Sequence, residues 1–319
     1  MFTDPSLGRP MPVRDAIDPF ESGNGYALRM VTENGLLFSD LTKALASIGH
    51  GYLPSKAAQM IAFWFGADPT AVSRAIPQSY RSNGRVVTSY MGVQFMRPYH
   101  VRFSRPQVCV RCLDEYGVAQ AVWDISLVTC CPTHGVVLMD RCIKCGRMLS
   151  WRRQDLHTCH CGADLCSMGG LPATSDAIWL SNHLECLLYG RSALPSANTP
   201  SRQLLGAFSL DVLLRVVRAL GVSQGDHVRD FVPGKLTRIL RTDEARDVVD
   251  RTFARVNAIL AGAPSERYAA CLHLAELGVI GHDVTGIEKT LLEHLLDAVV
   301  DIDTRCSSVK SSKSQLRLF

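Results

Sequence analysis

Four short cysteine and histidine motifs between residues 109 and 161 are the part of this sequence best suited to do chemistry. Cys109 and Cys112 form a CxxC pair, and Cys131 and His134 form a CxxH pair eighteen residues later. Zn²⁺ prefers a tetrahedron of thiolate and imidazole ligands, and two short turns that each present two ligands supply that shape. These two pairs predict a first zinc site.

A second site is predicted by two further pairs. Cys142 and Cys145 form another CxxC, and Cys159 and Cys161 form a CxC thirteen residues later. Together they offer four thiolates. Both predicted sites have a full set of protein ligands, which leaves no position for a reactive water, so we expect the two zinc ions to be structural.

Some nearby residues leave alternatives open. Cys130 stands beside Cys131 but lacks the CxxH spacing, while His160 and Cys166 are substitutes to consider in the second site. We favour small buried or surface roles for these three. The spacing also permits interleaved sites that exchange ligands between pairs.

Composition favours metal over disulfides. Nine of the twelve cysteines lie between residues 109 and 166 of a 319-residue chain, whereas a disulfide scaffold is normally short and secreted. The proline-rich start does not resemble a signal peptide, and no apolar run reaches the roughly 20 residues that span a bilayer. We therefore expect a cytoplasmic protein without a membrane partner. Seven thiolates and two Zn²⁺ would leave the chain nearly neutral.

The cysteine-rich segment resembles the TniQ family of transposition proteins, which includes the TnsD target selectors. The resemblance lies in the first two ligand pairs with Trp123 between them, in Gly135 and Leu138 after His134, and in the second two pairs, each followed by glycine, with Asp164 and Leu165 at the end. It extends to the start of the chain, at Glu21-Ser22, Tyr26, Arg29 and Asn34-Gly35, and covers roughly residues 10–166.

This resemblance implies a function. Such proteins mark the insertion site of a transposon, contact target DNA or a guide-RNA-containing Cascade complex, and recruit an AAA+ ATPase that brings the transposase. Members of guide-RNA systems can act as dimers. The chain is short beside TnsD-type members, so the resemblance favours association with a guide-RNA complex over direct reading of one DNA sequence.

Arginines predict a nucleic-acid or partner surface independently of the family. No Asp or Glu lies between Asp68 and Asp114, and tyrosines and Phe103 are interleaved with the arginines of that stretch. Arginine suits phosphate, and aromatic rings stack on bases. Solvated or paired arginines are the plainer alternative. The predicted contact residues are Arg74, Arg81, Arg85, Arg97, Arg102, Arg105, Arg111, Arg147, Arg152 and Arg153.

The fold is predicted to be mainly α, with small β elements in the zinc segment. We expect an extended arm at 1–20, an N-terminal helical domain with short extended segments at 21–108, a tandem zinc module at 109–170, a C-terminal helical bundle at 171–303 and a disordered tail at 304–319. Within the second of these, helices at 55–65 and 69–76 resemble a helix-turn-helix that presents Thr70, Ser73 and Arg74.

No motif for catalysis accompanies these elements. The sequence has no GxxxxGK phosphate loop, GxSxG or HExxH. We therefore expect a non-catalytic adaptor between a target-bound complex and the ATPase. The alternative is a stand-alone, sequence-specific, zinc-containing DNA-binding protein, and a zinc-dependent hydrolase is a distant third.

Overall fold

The computed structural model describes residues 8–45, 51–192, 195–222, 239–262, 272 and 274–315, with side chains up to residue 300. The chain forms two compact units. The first contains residues 1–193 and 239–243, and the second contains residues 194–238 and 244–319. In the described part, no helix combines the length and the apolar character that crossing a bilayer requires.

The first unit contains six described helices and two small antiparallel sheets. Its helices are α1 (Gly23–Glu33), α2 (Phe38–Ala44), α3 (Ala58–Phe65), α4 (Pro69–Ala75), α5 (Val110–Tyr116) and α6 (Ser175–Tyr189). Its strands are β1 (Gln78–Ser82), β2 (Arg85–Tyr90), β3 (Val93–Phe95), β4 (Cys130–Cys131) and β5 (Val136–Val137). The sheet orders are β1-β2-β3 and β4-β5.

Helix α1 is central to the N-terminal part because glycines let neighbours approach it. A Cβ atom at Gly23 would lie 2.6 Å from Ile76 Cγ1, and one at Gly25 would lie 2.5 Å from Ala119 Cβ. Glycine inside a helix costs roughly 0.5–1 kcal/mol relative to alanine, but here any larger residue would force the packed segments apart.

The arm before α1 is held in place along its second half. The side chain of Asn34 pairs with Val13 like a strand neighbour, since Val13 N donates to Asn34 Oδ1 and Asn34 Nδ2 donates to Val13 O, both at 2.9 Å. Arg29 binds Asp15 at 2.8 Å and the buried Glu21 at 2.9 Å. The residues that carry the family resemblance at the start of the chain therefore anchor the arm.

Helices α3 and α4 lie where the sequence predicted a helix pair, although a short 3-10 turn at Ser55–Ala57 precedes α3. Gly66 ends α3 with φ 77°. Asp68 then caps α4, its side chain accepting a hydrogen bond from Ala71 N, and Pro69 takes the first helical position.

Strand β1 was not predicted, because its side chains are nearly all exposed and lack alternation.

The sequence and the structure differ at the C-terminal boundary. We predicted a helical domain that starts at residue 171, but α6 lies in the first unit, where it packs on β4. Residues 239–243 also return to this unit: Thr242 N donates to Asp140 Oδ2, and its hydroxyl donates to Gln107 Oε1. A local sequence pattern does not reveal which core an amphipathic helix joins.

The second unit is helical throughout its described part. Its helices are α7 (Pro200–Leu205), α8 (Leu210–Gly221), α9 (Thr242–Leu260, whose first two residues lie in the first unit), α10 (Leu274–Asp283) and α11 (Gly286–Gln315). The apolar faces of α8 and α9 are buried apart from Leu260, which is 47% exposed; Ile287, at an apolar position of the helical pattern in α11, is 76% exposed. The apolar pattern therefore predicted a buried position wrongly at these two residues. Helix α11 continues to Gln315, past the predicted start of a disordered tail at 304.

Candidate metal centres and basic surface

The structure brings the eight predicted ligands into two separate groups. Each group offers one ligand atom per residue, and within a group these atoms all lie within 4.8 Å of one another. The groups follow the predicted assignment and are not interleaved: Cys109, Cys112, Cys131 and His134 form the first cluster, and Cys142, Cys145, Cys159 and Cys161 form the second cluster.

Three separate elements build the first cluster. Cys109 occupies the position before α5, and Cys112 lies one turn later on the same helix. Cys131 ends β4, and His134 lies in the turn to β5. That turn closes through the hydrogen bond from Gly135 N to Cys131 O, at 2.8 Å, with Gly135 at φ 63°.

Distances in the first cluster fit a tetrahedral ion. Four ligands in a tetrahedron with zinc–ligand distances of about 2.0–2.3 Å lie about 3.3–3.8 Å from one another. Cys112 Sγ lies 3.5 Å from Cys131 Sγ and 3.2 Å from His134 Nδ1, and Cys109 Sγ lies 3.5 Å from the same nitrogen. The imidazole therefore faces the cluster with Nδ1.

The other ring nitrogen of His134 has a partner that the sequence analysis missed. His134 Nε2 lies 2.8 Å from Glu115 Oε1. Burial by itself would lower the pKa of His134, but hydrogen bonds to Glu115 and Cys131 raise it. Glu115 follows Cys112 by three residues on α5, so one helical turn places the carboxylate beside the histidine. This i, i+3 spacing was the available signal.

Hydrogen bonding within the first cluster favours a thiolate. The thiols of Cys109 and Cys112 stabilise the charged form of Cys131 and lower its pKa. Hydrogen bonds with Cys109 and Cys131, together with burial, raise the pKa of Cys112. Metal ions bind cysteine as the thiolate, so a lowered pKa at Cys131 favours metal binding by this residue.

The second cluster is built by two tight turns. The main-chain carbonyl of Cys142 accepts a hydrogen bond from Gly146 N at 2.8 Å, and the main-chain carbonyl of Cys159 accepts one from Gly162 N at 2.9 Å. Both glycines have positive φ, at 69° and 77°. The Sγ atoms of Cys142 and Cys161 lie 3.8 Å apart, the edge of a tetrahedron with four zinc–sulfur bonds of about 2.3 Å.

The alternative ligands lie outside both clusters. Cys130 is buried and donates to Ser181 Oγ at 3.3 Å. His160 is exposed, and its Nε2 lies 2.8 Å from Ser150 Oγ. Cys166 is not a member of either group.

Most of the predicted arginines are at the surface, but two are not. Arg102 and Arg153 are each 1% exposed. Arg102 Nη2 donates to Leu240 O at 2.8 Å, and Arg153 donates to the carbonyls of Ser150 and Leu156. Because they bind main-chain carbonyls in the interior, they do not belong to the predicted surface, and replacing Arg102 would disturb the fold.

The remaining predicted arginines reach solvent. Arg97 is half-buried, and the exposed ones are Arg74, Arg81, Arg85, Arg105, Arg111, Arg147 and Arg152. The interleaved aromatic residues are less available than predicted. Tyr90 is 1% exposed, and its hydroxyl donates to Asp124 Oδ2 at 2.8 Å, whereas Tyr80 remains 41% exposed.

Within the described residues, a largely helical frame contains two Cys/His clusters that could hold metal ions. Residues 12–138 match the family model of TniQ, and this match supports membership of the TniQ family. It confirms the resemblance over a range that includes the first cluster and ends before the second. The match indicates a part in transposition target selection. The chain has no match among the curated proteins.

Proposed function

We propose that this protein is a non-catalytic target-selection adaptor of a DNA transposition system. It links a target-bound complex, a guide-RNA Cascade-type assembly or DNA itself, to the AAA+ ATPase that brings the transposase. The TniQ match over residues 12–138 carries this proposal. The adaptor acts alone or as a homodimer.

The two clusters support a structural role for metal. We propose that each binds one Zn²⁺, because each has four protein ligands of the types that zinc prefers, at tetrahedral spacing. A zinc ion with four protein ligands keeps no open position for water or substrate. The proposed role of each ion is therefore to hold the turns that contain its ligands in one conformation. The turns of the first cluster connect α5, β4 and β5.

An assembly experiment tests the adaptor role. Purified zinc-loaded protein is mixed with the AAA+ ATPase that the proposal assigns to it, with ATP and with duplex DNA. The mixture is analysed by size-exclusion chromatography with light scattering. We expect a complex that contains both proteins. Separate elution of the two proteins, with and without the Cascade-type complex, would contradict the proposal.

Selection from genomic DNA fragments across a salt series separates the two leading functions. An adaptor enriches no motif at physiological salt, because another complex supplies specificity. A stand-alone sequence-specific DNA-binding protein recovers one motif that survives that salt. The β1-β2 hairpin, which packs against α4, is the observation that favours this second function.

A further inference from the structure

The two Cys/His clusters differ in how far solvent reaches their sulfur atoms. In the first cluster all three cysteines are buried, and the largest exposed fraction among them is 5%, at Cys112. In the second cluster Cys142 and Cys159 are buried. Cys161 is exposed, and Cys145 also reaches solvent. A dissolved reagent can therefore reach two thiols of the second cluster, while the thiols of the first cluster are shielded.

The accessible thiols lie at the tips of the two turns that build the second cluster. In the turn at 142–147, each residue from 143 to 147 is exposed. In the turn at 159–163, each residue from 160 to 162 is exposed. The apolar side chain of Ile143 is 67% exposed, so the described part of the chain leaves this tip uncovered.

Backbone hydrogen bonds hold each turn within itself. Cys142 N donates to Arg147 O at 2.9 Å in the first turn, and Cys159 N donates to Ala163 O at 2.9 Å in the second. None of these bonds crosses from one turn to the other. The sulfur cluster does cross, and so does the contact of 2.8 Å between Ser150 Oγ and His160 Nε2 near the surface.

Two sulfur–sulfur contacts of the second cluster run from one turn to the other. Cys142 Sγ lies 3.8 Å from Cys161 Sγ. Cys145 Sγ lies 3.7 Å from Cys159 Sγ. Each of these cross-turn pairs combines a buried thiol with one that reaches solvent. A disulfide has an S–S distance of about 2.05 Å, so the sulfurs of a pair need to approach by only about 2 Å to form one.

We propose that the second cluster is a site of reversible oxidation by peroxides, in which the accessible thiol of a cross-turn pair is attacked and its buried neighbour resolves the product. Access decides which cysteines a peroxide oxidises, and a sulfenic acid beside a second thiol condenses to a disulfide. The first cluster has comparable distances between its ligand atoms, but its thiols are buried, so the site belongs to the second cluster alone.

The chemistry balances in two steps. The peroxide gives one oxygen atom to the accessible sulfur, which becomes a sulfenic acid, and the rest of the peroxide leaves as water or an alcohol. The buried thiol then attacks that sulfur, the S–S bond forms, and the hydroxyl leaves as water with the proton of the attacking thiol. The two thiols together lose two electrons, and the peroxide is reduced by the same two electrons.

A disulfide at this position replaces one link between the turns by another. It removes two of the four ligands that the proposed zinc ion needs, so oxidation should release that ion. It also joins the two turns covalently, so the oxidised protein should stay folded, unlike a variant that lacks a ligand. The inference rests on the proposed metal role and deepens it, because it distinguishes a permanent site from an exchangeable one.

Peroxide treatment of the full-length, zinc-loaded protein tests this site. Hydrogen peroxide is added in limiting amounts, metal release is followed with a chromophoric chelator, and free thiols are alkylated before peptide mass spectrometry. We expect release of one of the two zinc ions together with loss of two free thiols. The disulfide should join Cys142 to Cys161 or Cys145 to Cys159. Dithiothreitol with fresh Zn²⁺ should restore two ions per chain.

The first cluster and Cys166 serve as matched controls in the same experiment. Cys109, Cys112 and Cys131 should stay reduced, because they are buried. Cys166 is half-buried and lies outside both clusters, so Cys166→Ser should release zinc at the wild-type rate. Slower release in that variant, or a disulfide that includes Cys166, would overturn the assignment of the resolving cysteine.

Other outcomes would overturn the inference as a whole. These are equal loss of metal from both clusters, a disulfide within one turn, oxidation that dithiothreitol does not reverse, and no reaction at the second cluster. Zinc content before oxidation separates this failure from failure of the metal role. Protein that contains less than two zinc ions per chain contradicts the metal role, while disulfide mapping of the metal-free protein still shows whether a cross-turn pair is oxidised.

Discussion

Glu115 Oε1 lies 2.8 Å from His134 Nε2, so a carboxylate holds the only imidazole of the first cluster from the side opposite its sulfur neighbours. A histidine ligand is oriented by the partner of its second nitrogen, which fixes the tautomer and the ring plane. Here Nδ1 faces the thiols, and the carboxylate side chain, although 47% exposed, is placed by helix α5.

Loss of this carboxylate should weaken metal binding without removing a ligand. We expect Glu115→Ala to lower the affinity of the first cluster for Zn²⁺ by about 10- to 100-fold. Competition with a chromophoric chelator measures this zinc affinity. Glu115→Gln should recover part of the loss, because an amide can still accept from the ring. Asp114→Asn, an exposed neighbour on the same helix, is the control, and equal affinities in Glu115→Ala and this control would contradict the positioning role.

Loss of a ligand should reduce metal binding and stability far more than loss of Glu115. Cys109→Ser and Cys142→Ser should each release one metal ion and unfold the surrounding segment, because site formation and folding are coupled. Zinc content by mass spectrometry and thermal unfolding by circular dichroism measure the effect. Cys166→Ser, outside both clusters, should leave both quantities unchanged. Two bound zinc ions and a wild-type melting temperature in the ligand variants would rule out structural metal.

The buried carboxyl of Asp124 should make stability depend on pH. Burial raises its pKa to about 7, against hydrogen bonds from Ser22 and Tyr90 that lower it. A carboxyl with a raised pKa in the folded state binds its proton more tightly there than in the unfolded chain. Its contribution is therefore complete below the unfolded pKa of 3.8 and is lost as pH rises towards about 7.

Replacement isolates this effect. Urea unfolding of the wild type and of Asp124→Asn at pH 5 and pH 8 gives the difference in stability for each. We expect the wild type to lose more stability than the variant on going to pH 8, because the amide cannot ionise. Asp114→Asn should behave like the wild type. An identical pH dependence in Asp124→Asn would show that the carboxyl stays ionised in the fold.

A buried arginine should matter for the stability of the second unit. Arg215 is 1% exposed and binds Asp283 at 2.8 Å and Glu276 at 3.3 Å, with Asp211 at 3.8 Å. Arg215→Ala would leave partly buried carboxylates without a cation, which should cost about 3–5 kcal/mol of unfolding free energy.

An exposed pair provides the comparison for Arg215. Lys289 and Glu293 lie 4.0 Å apart with side chains more than half exposed. Lys289→Ala should cost no more than about 1 kcal/mol, because water screens such pairs. Denaturant unfolding of the two variants measures both values. Similar costs would mean that the carboxylates around Arg215 find water once the cation is gone.

Local patterns in the sequence predict several parts of this structure correctly. Asp68 and Pro69 mark the start of α4, since a cap and a proline act within one turn of the chain. The Cys/His pairs of the two clusters are in the same class, because CxxC, CxxH and CxC each place two side chains within a tight turn. That the pairs combine as predicted was not certain from spacing, and the distances decide it.

For other residues, burial and interaction partners depend on tertiary packing. Arg102 and Arg153 lie in basic stretches like their exposed neighbours, yet both are in the interior. Arg102 donates a hydrogen bond to the carbonyl of Leu240, far away in the chain, and Arg153 donates to the carbonyls of Ser150 and Leu156 in its own buried loop. Glu115 lies one helical turn after Cys112, but only β4 and the turn after it bring His134 to its carboxylate. Helix α6 carries an ordinary amphipathic pattern, and only its contact with β4 assigns it to the first unit.

The sequence by itself therefore determined the ligand types, their pairing into knuckles, the family resemblance and the helix ends, all of which depend on residues a few positions apart. Tertiary structure decided which arginines reach solvent, which carboxylate orients the histidine, and which cysteines of the second cluster reach solvent. Burial and hydrogen-bond partners depend on segments distant in the chain, and no local pattern encodes which segments will meet.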